Sequence, residues 1–169
     1  NSRGRFKGEV VPGGVDRGGK QVTFDTDEGP RESTVEGLSK LRPAFKVNGR
    51  STAGNSSQTS DGAAIEVLMT REAAADHGFT PLAELVTYQV AGVHPDEMGI
   101  GPTVAIPKAL EAAGLSLGDI GLVELNEAFA SQSLACLRLL GLPDDAAHVN
   151  PNGGAIALGH PLGMSGARL

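Results

Sequence analysis

The first part of the chain, residues 1–58, has little hydrophobic periodicity, and glycine, charged and hydroxyl side chains dominate it. Within it, residues 20–25 predict a β-strand, because Val22 and Phe24 fall on one face of an alternating pattern. The residues from Ser33 to Glu36 form a capping-box pattern, which predicts the start of a short helix. This part therefore predicts isolated short elements rather than a layered core.

The end of that helix is expected at Pro43, because a proline disfavours helical backbone in the residue before it. Residues 51–60 follow and are almost all small and polar. A stretch of this composition fits either a flexible linker or a backbone surface against which a ligand lies. Both interpretations stay open at this point.

From residue 61 onward, strand-like and helix-like stretches alternate. The strand-like stretches, which are short and apolar, are residues 65–69, 82–93 and 120–125. The helix-like stretches, which have start or stop signals at their ends, are residues 71–77, 102–113 and 128–140. Strands that alternate with helices of this length predict a layered α/β sheet.

Capping residues support the helix predictions. Thr70 is suited to cap the helix at 71–77, and Gly78 is suited to end it in left-handed backbone. Gly114 and Gly141 are predicted to end the two later helices in the same way. Asp61 is also predicted to cap an alanine-rich turn directly after it.

Composition and charge exclude several classes of function. The chain of 169 residues is 40% hydrophobic with mixed charge, which predicts a soluble globular protein. A net charge of -6 and the lack of a basic stripe argue against nucleic acid as a partner. No apolar run approaches the roughly 18 residues needed to cross a membrane. A single cysteine fits a reducing compartment, so we expect a cytoplasmic location.

Three common binding motifs, the P-loop, the calcium-binding loop and the zinc site, are each incomplete in this sequence. Gly154 and Gly159 have the spacing of a phosphate-binding P-loop, but His160 and Pro161 stand where that loop needs lysine and a hydroxyl. An acidic series that imitates a calcium loop carries Pro30 in place of the required glycine. The one cysteine and four histidines have no zinc-site spacing, and no metal site is predicted.

Two stretches carry side chains suited to chemistry. Asn126 directly follows the apolar run at 120–125 and precedes a helix, and ligands of α/β proteins gather where strands end. His160 lies in a glycine-dense turn between Gly159 and Pro161. An amide can hold a water or a carbonyl, and an imidazole can move a proton. From these residues alone, His160 is either catalytic or structural, and no nucleophile stands beside it.

The remaining histidines and the cysteine favour ordinary structural roles. His77 ends a predicted helix, where a cation is mildly favoured, and His94 and His148 fall in predicted loops. Cys136 lies in the middle of a helix with leucines around it, so we expect a small core residue. None of the four is predicted to act in catalysis.

Five stretches, taken in order, resemble the thiolase family along essentially the whole chain. They are residues 52–57, 61–64, 98–102, 126–130 (Asn-Glu-Ala-Phe-Ala) and 152–166, which includes the Gly-His-Pro triplet. The sequence Asn-Ser-Ser-Gln at residues 55–58 is more similar to degradative 3-ketoacyl-CoA thiolases than to biosynthetic ones. The resemblance implies a duplicated five-layer α/β/α/β/α fold, present here only in part.

The resemblance also implies a division of the chain and a set of substrate contacts. Residues 1–58 match a loop region that covers the coenzyme, 59–81 match the end of the N-terminal half, and 82–169 match an incomplete C-terminal half. Positions implied to bind the substrate coenzyme A or the acyl group are Arg31, Ala53, Ser57, Met98 and Phe129. Of these, Arg31 matches the nucleotide end, Ala53 and Ser57 the pantetheine arm, and the other two the acyl pocket. No tightly bound cofactor is implied.

Thiolases transfer an acyl group between a cysteine thioester and coenzyme A. By resemblance, His160 would activate that cysteine, and Asn126 would hold a water that stabilises the thioester oxygen. The family's two catalytic cysteines have no counterpart here, and Cys136 matches neither. The chain therefore resembles a fragment that is predicted to be inactive alone, with a homodimer or homotetramer expected for the full-length form.

Three alternatives stay open. A thiolase-like protein could bind coenzyme A or lipid without turnover. A decarboxylating condensing enzyme shares the fold, although Asn126 and Glu127 argue against it. A stand-alone domain could carry the small-residue stretches only as turns.

Overall fold

The computed structural model describes residues 4–169. Two strands, β1 and β2, come first, and six short or medium α-helices follow. In chain order these elements are β1 (Gly13–Arg17), β2 (Lys20–Phe24), α1 (Val35–Ser39), α2 (Arg71–Asp76), α3 (Gly101–Ala113), α4 (Ala130–Leu139), α5 (Ala155–Leu158) and α6 (Ser165–Arg168). Two 3₁₀ helices span Pro95–Ile100 and Leu117–Asp119.

Strands β1 and β2 form an antiparallel hairpin in which Val15 pairs with Val22. The two-residue loop consists of Gly18 and Gly19, with φ angles of 64° and 82°. Two consecutive positive φ angles are what the favoured hairpin turns require, and glycine adopts them without strain. The predicted strand at 20–25 is confirmed as β2, whereas β1 was not predicted.

The capped helices form largely where the sequence predicts them. The Thr34 hydroxyl accepts a hydrogen bond from the Gly37 backbone N–H at 3.0 Å, so α1 begins one residue later than the pattern at Ser33 indicates. Thr70 accepts from the Ala73 N–H at 3.2 Å and caps α2, as predicted. Helix α1 ends at Ser39, before the predicted stop.

The longer helices also agree with their predicted ends. Helix α3 stops at Gly114, whose φ of 68° is left-handed, and Gly141 adopts a φ of 75° just beyond α4. Helix α4 begins at Ala130, two residues later than predicted. Both helices pack against the 3₁₀ helix at Pro95–Ile100.

A small core forms beneath α4. It consists of Leu125, Cys136 and Leu137, with Cys136 fully buried at 0% exposure, which confirms the prediction of a core cysteine. Val123 and Val149 pack against this group and form an isolated parallel β-bridge. The core thus brings residues 123–125, which precede Asn126, next to Val149, which lies in the segment that leads to His160.

The predicted layered sheet is not formed by residues 4–169, in which the hairpin β1–β2 is the one sheet. The strands predicted at 65–69, 82–93 and 120–125 are not assigned, and the turn predicted after Asp61 is absent from the described chain. A strand needs a hydrogen-bonded neighbour, and within the described residues these segments have none beyond the bridge at Val123. The apolar side chains of residues 65–69 and 82–93 are largely exposed, with Leu82, Leu85 and Val90 among the most accessible, whereas Leu125 is buried in the small core. In the described chain, no helix is both long and apolar enough for a membrane span.

Candidate functional site

Asn126 and His160 come together although 34 positions separate them. The Asn126 Nδ2 atom lies 3.2 Å from the His160 Nε2 atom, and both residues are half-buried. Leu125, directly before Asn126, is buried and fixes the backbone at this point. The Asn150 side chain also fixes it, because it accepts from the Leu125 N–H at 2.7 Å and donates to the Leu125 carbonyl at 2.8 Å.

The backbone of His160 is fixed from the other side. Its N–H donates to the Gln58 carbonyl at 3.0 Å. Gly159 adopts a φ of 94°, and a Cβ at this position would overlap the Ser60 hydroxyl. Both facts require glycine before His160, because a side chain would meet backbone strain and a steric clash together.

Ser165 contacts the Nδ1 side of the imidazole. Its Oγ lies 2.7 Å from His160 Nδ1 and donates its own proton to the Pro161 carbonyl at 3.1 Å. The tautomer that fits an engaged hydroxyl proton carries its hydrogen on Nδ1, which donates to Oγ, and leaves the Nε2 lone pair toward Asn126. The Asn126 amide N–H can therefore donate to Nε2. Sequence reasoning did not assign Ser165 to the site.

Residues 55–57 run alongside the motif at 126–130. The Ser57 N–H donates to the Ala128 carbonyl at 3.0 Å, and the Ala130 N–H donates to the Asn55 carbonyl at 2.9 Å. The segment is half-buried, and Ser56 forms an antiparallel bridge with Phe129. This pairing excludes the free-linker interpretation for these residues and brings Ser57 beside Phe129.

The other predicted substrate residues lie farther out. Phe129 packs edge to face on Phe45, with ring centroids 6.0 Å apart. Met98 lies on the 3₁₀ helix at Pro95–Ile100 and is 73% exposed. Ala53 is exposed, and Arg31 is exposed with its Nε donating to a nearby carbonyl at 3.4 Å. The structure thus groups Ser57, Phe129, Asn126 and His160, and leaves Arg31, Ala53 and Met98 on the surface.

An open cavity of about 320 Å³ lies next to the histidine turn, lined by residues 60–64 and 161–164. Among residues 4–169, no three His, Cys, Asp or Glu side chains lie close enough to hold a metal ion.

The shifted pKa values belong to residues outside this site. The hydrogen bond from Arg138 lowers the pKa of Asp144, and the hydrogen bonds from the Ser116 hydroxyl and N–H lower the pKa of Asp119. Both carboxyl groups are on the exposed surface.

Comparisons with known proteins identify the family of this chain. The family model described as Thiolase, N-terminal domain, matches residues 1–72, and the one described as Thiolase, C-terminal domain, matches residues 79–169. The 3-ketoacyl-CoA thiolase of Bacillus subtilis is 54% identical over 99% of this chain and 45% of its own length. The human peroxisomal 3-ketoacyl-CoA thiolase is 53% identical over 99% of this chain and 40% of its own length.

Solved structures show the same partial match. The acetyl-CoA acetyltransferase of Bacillus anthracis superposes with a TM-score of 0.92 at 48% identity, over 99% of this chain and 42% of that one. The human mitochondrial 3-ketoacyl-CoA thiolase in complex with CoA gives a TM-score of 0.84 at 48% identity, over 99% and 41%. The predicted partial thiolase fold is confirmed, and the chain spans less than half the length of these relatives. The chain belongs to the thiolase family.

Proposed function

We propose that this chain supplies the histidine and asparagine of an acyl-transfer site, in which a thiolase moves an acyl group between a cysteine thioester and coenzyme A. The observation that carries the proposal is the 3.2 Å approach of Asn126 Nδ2 to His160 Nε2. The relatives named 3-ketoacyl-CoA thiolase and acetyl-CoA acetyltransferase support the reaction class.

His160 is proposed to act through Nε2. With Nδ1–H donating to Ser165, the Asn126 N–H releases Nε2, and the Nε2 lone pair accepts the proton of a cysteine thiol. The thiolate then attacks the acyl carbonyl carbon, and the π electrons of that carbonyl move to its oxygen. The Nε2–H formed in this way and an Asn126-held water then donate to the carbonyl oxygen as negative charge develops there. Removing one such donor typically costs 10²- to 10³-fold in rate.

Coenzyme A is the proposed substrate. We assign the pantetheine arm to Ser57 and the exposed backbone at Ala53, the nucleotide end to Arg31, and the acyl pocket to Phe129 and Met98. The solved relative in complex with CoA supports this choice of ligand. Arg31 is exposed and free to turn toward a phosphate, which a guanidinium can bind in a bidentate manner.

The nucleophile is proposed to come from outside these 169 residues. Cys136 is fully buried, and its thiol donates to the Gly99 carbonyl at 3.4 Å, so it is unsuited to attack a substrate. We therefore propose that the 169-residue chain alone does not turn over substrate. The division at 1–58, 59–81 and 82–169, the homodimer or homotetramer and the cytoplasmic location stay proposals, and some relatives are named peroxisomal.

Two experiments test this function. Residues 1–169 would replace the matching segment of the Bacillus subtilis thiolase, and we expect the grafted protein to cleave 3-ketoacyl-CoA with coenzyme A. His160→Ala in that graft should lower kcat/KM by at least about 10²-fold. Full activity of the variant would contradict the assignment of His160. Thiolysis by the purified chain of verified 169-residue mass would overturn the proposed inactivity.

Coenzyme binding is measured separately by calorimetric titration of coenzyme A into the 169-residue chain. Arg31→Ala should weaken binding several-fold, whereas Arg71→Ala on α2, an exposed arginine that is assigned no coenzyme contact, serves as the matched control. Equal affinities for both variants would remove Arg31 from the proposal. Binding by a graft that shows no turnover would instead favour the non-catalytic coenzyme-binding alternative.

A further inference from the structure

We propose that Glu127 is a positioning residue whose carboxylate locks the loop of Asn126 to the loop of His160, in a space that Gly154 leaves open for it. The importance of the locked pair rests on the proposed function, but the lock itself is a property of the fold. Glu127 is half-buried and lies directly after Asn126.

Both carboxylate oxygens of Glu127 are engaged by the second loop. Oε1 accepts from the Asn150 Nδ2 at 3.3 Å, and Oε2 accepts from the Ile156 backbone N–H at 3.2 Å. The same Asn150 side chain also holds both backbone groups of Leu125. Residues 125–127 are therefore bonded to residues 150–156 at four points. Three of these bonds end on Asn150, and the fourth, from Glu127 to Ile156, lies nearest to His160 along the chain.

Gly154 provides independent support. A Cβ on Gly154 would overlap all three atoms of the Glu127 carboxylate group. Its backbone, at φ −110° and ψ −169°, is extended and open to any residue. Glycine is therefore required here because the Glu127 carboxylate occupies the space of a Cβ, and not because of backbone strain. The neighbouring Gly153 differs, because its φ of 95° favours glycine by itself.

The short helix α5 connects the residues bound by Glu127 to the imidazole of His160. The Leu158 N–H donates to the Gly154 carbonyl at 3.1 Å, and the Gly159 N–H donates to the Ala155 carbonyl at 2.8 Å. Helix α5 thus joins the Glu127-bound residues to His160 within one turn. A shift of residues 154–156 is expected to move the ring relative to the Asn126 amide.

The test uses the 169-residue chain and nuclear magnetic resonance. In the unmodified chain, the Asn126 carboxamide protons should give Overhauser effects to the two ring protons that flank His160 Nε2. Glu127→Ala should abolish these effects while the signals of the Leu137 core remain. Glu127→Gln keeps acceptor capacity at the carbonyl oxygen, so it should restore part of the intensity. Full Overhauser effects in Glu127→Ala would overturn the proposal.

Gly154→Ala provides a second route to the same result, with a matched control. It should displace the carboxylate and weaken the Asn126–His160 effects, whereas Gly163→Ala should change nothing. Gly163 lies in the same loop region, has no heavy atom within 4 Å of its Cβ position and lacks a positive φ. Equal behaviour of the two alanine variants would contradict the role of Gly154.

A double-mutant cycle covers the case in which a single variant loses stability. Once Glu127→Ala has removed the carboxylate, adding Gly154→Ala should cause no further drop in the urea midpoint, because the overlap is gone. Additive drops would contradict the proposal. These measurements involve no coenzyme A or turnover, so a failure of the proposed function would leave their outcome unchanged.

Discussion

Residues 123–165 and residues 61–93 of this chain have similar proportions of apolar side chains but opposite structural outcomes. In the first region, Val123 bonds to the segment at 148–150, and Leu125 and Cys136 are buried. In the second region, Ile65, Leu82 and other apolar side chains extend into solvent. The difference shows that contacts within the chain hold the site region together, whereas residues 4–169 leave most large apolar side chains of the other region exposed.

The source of that difference is the kind of contact that each region uses. Around the site, single side chains such as Asn150 and Ser165 bond to backbone or to His160 over short spans of space. Such contacts need only two loops at the right distance. Strand-like segments instead require a neighbouring strand along their whole length, and large exposed apolar areas are typical of interaction surfaces.

The largest expected effect comes from removing the anchor of the site region. Leu125→Ala should destabilise the chain by roughly 2–5 kcal/mol, because it opens a cavity in a core of very few residues. Urea unfolding followed by circular dichroism measures the change. The matched control is Leu82→Ala in the exposed region, for which we expect a change within about 0.5 kcal/mol. Equal losses for the two variants would break the comparison between the regions.

A smaller effect is expected at Ser165. Ser165→Ala removes the acceptor of the His160 Nδ1–H, so the ring should lose its single tautomer and the fold about 1 kcal/mol. Nitrogen-15 spectra of the labelled ring report the protonated nitrogen, and the urea midpoint reports the stability. Ser131→Ala on the exposed side of α4 is the control. A ring that stays protonated at Nδ1 without Ser165 would contradict the assignment of the tautomer.

The smallest expected effect concerns pH. The hydrogen bond from Arg138 lowers the pKa of Asp144 below its ordinary value of 3.8, so the carboxylate contributes stability at neutral pH. A depressed pKa in the folded state means that this contribution is lost as the pH falls through that pKa. Asp144→Asn should therefore show a slightly smaller fall in urea midpoint between about pH 6 and about pH 3 than the unmodified chain. A steeper fall in the variant would contradict the sign. Both side chains are largely exposed, so the difference should be small.

The helices were predictable from sequence because their signals are local. Thr70 and Gly78 act within one turn of the helix that they bound, and the structure places them as predicted. The predictions of strands at 82–93 and 120–125 were wrong, because apolar content does not identify the neighbouring strand with which a segment would pair. Conversely, β1 was not predicted, although the consecutive Gly18 and Gly19 are a hairpin signal.

The candidate site was only partly predictable for a related reason. Asn126 and His160 stand out because each lies in a recognisable motif, and their catalytic role stays a prediction. Ser165, Asn150 and Glu127 act by hydrogen bonds that span 5, 25 and 29 positions, and no local pattern marks such bonds. Their partners become visible only when the two loops are placed in space.

The measurement that tests the account most directly is a double-mutant cycle on Asn126 and His160 in the grafted thiolase. If both side chains act on one thioester carbonyl, each single alanine variant should lower kcat/KM by at least about 10²-fold, and the double variant should be little worse than the poorer single one. Losses that multiply would show that the asparagine and the histidine act independently, which would contradict a shared site.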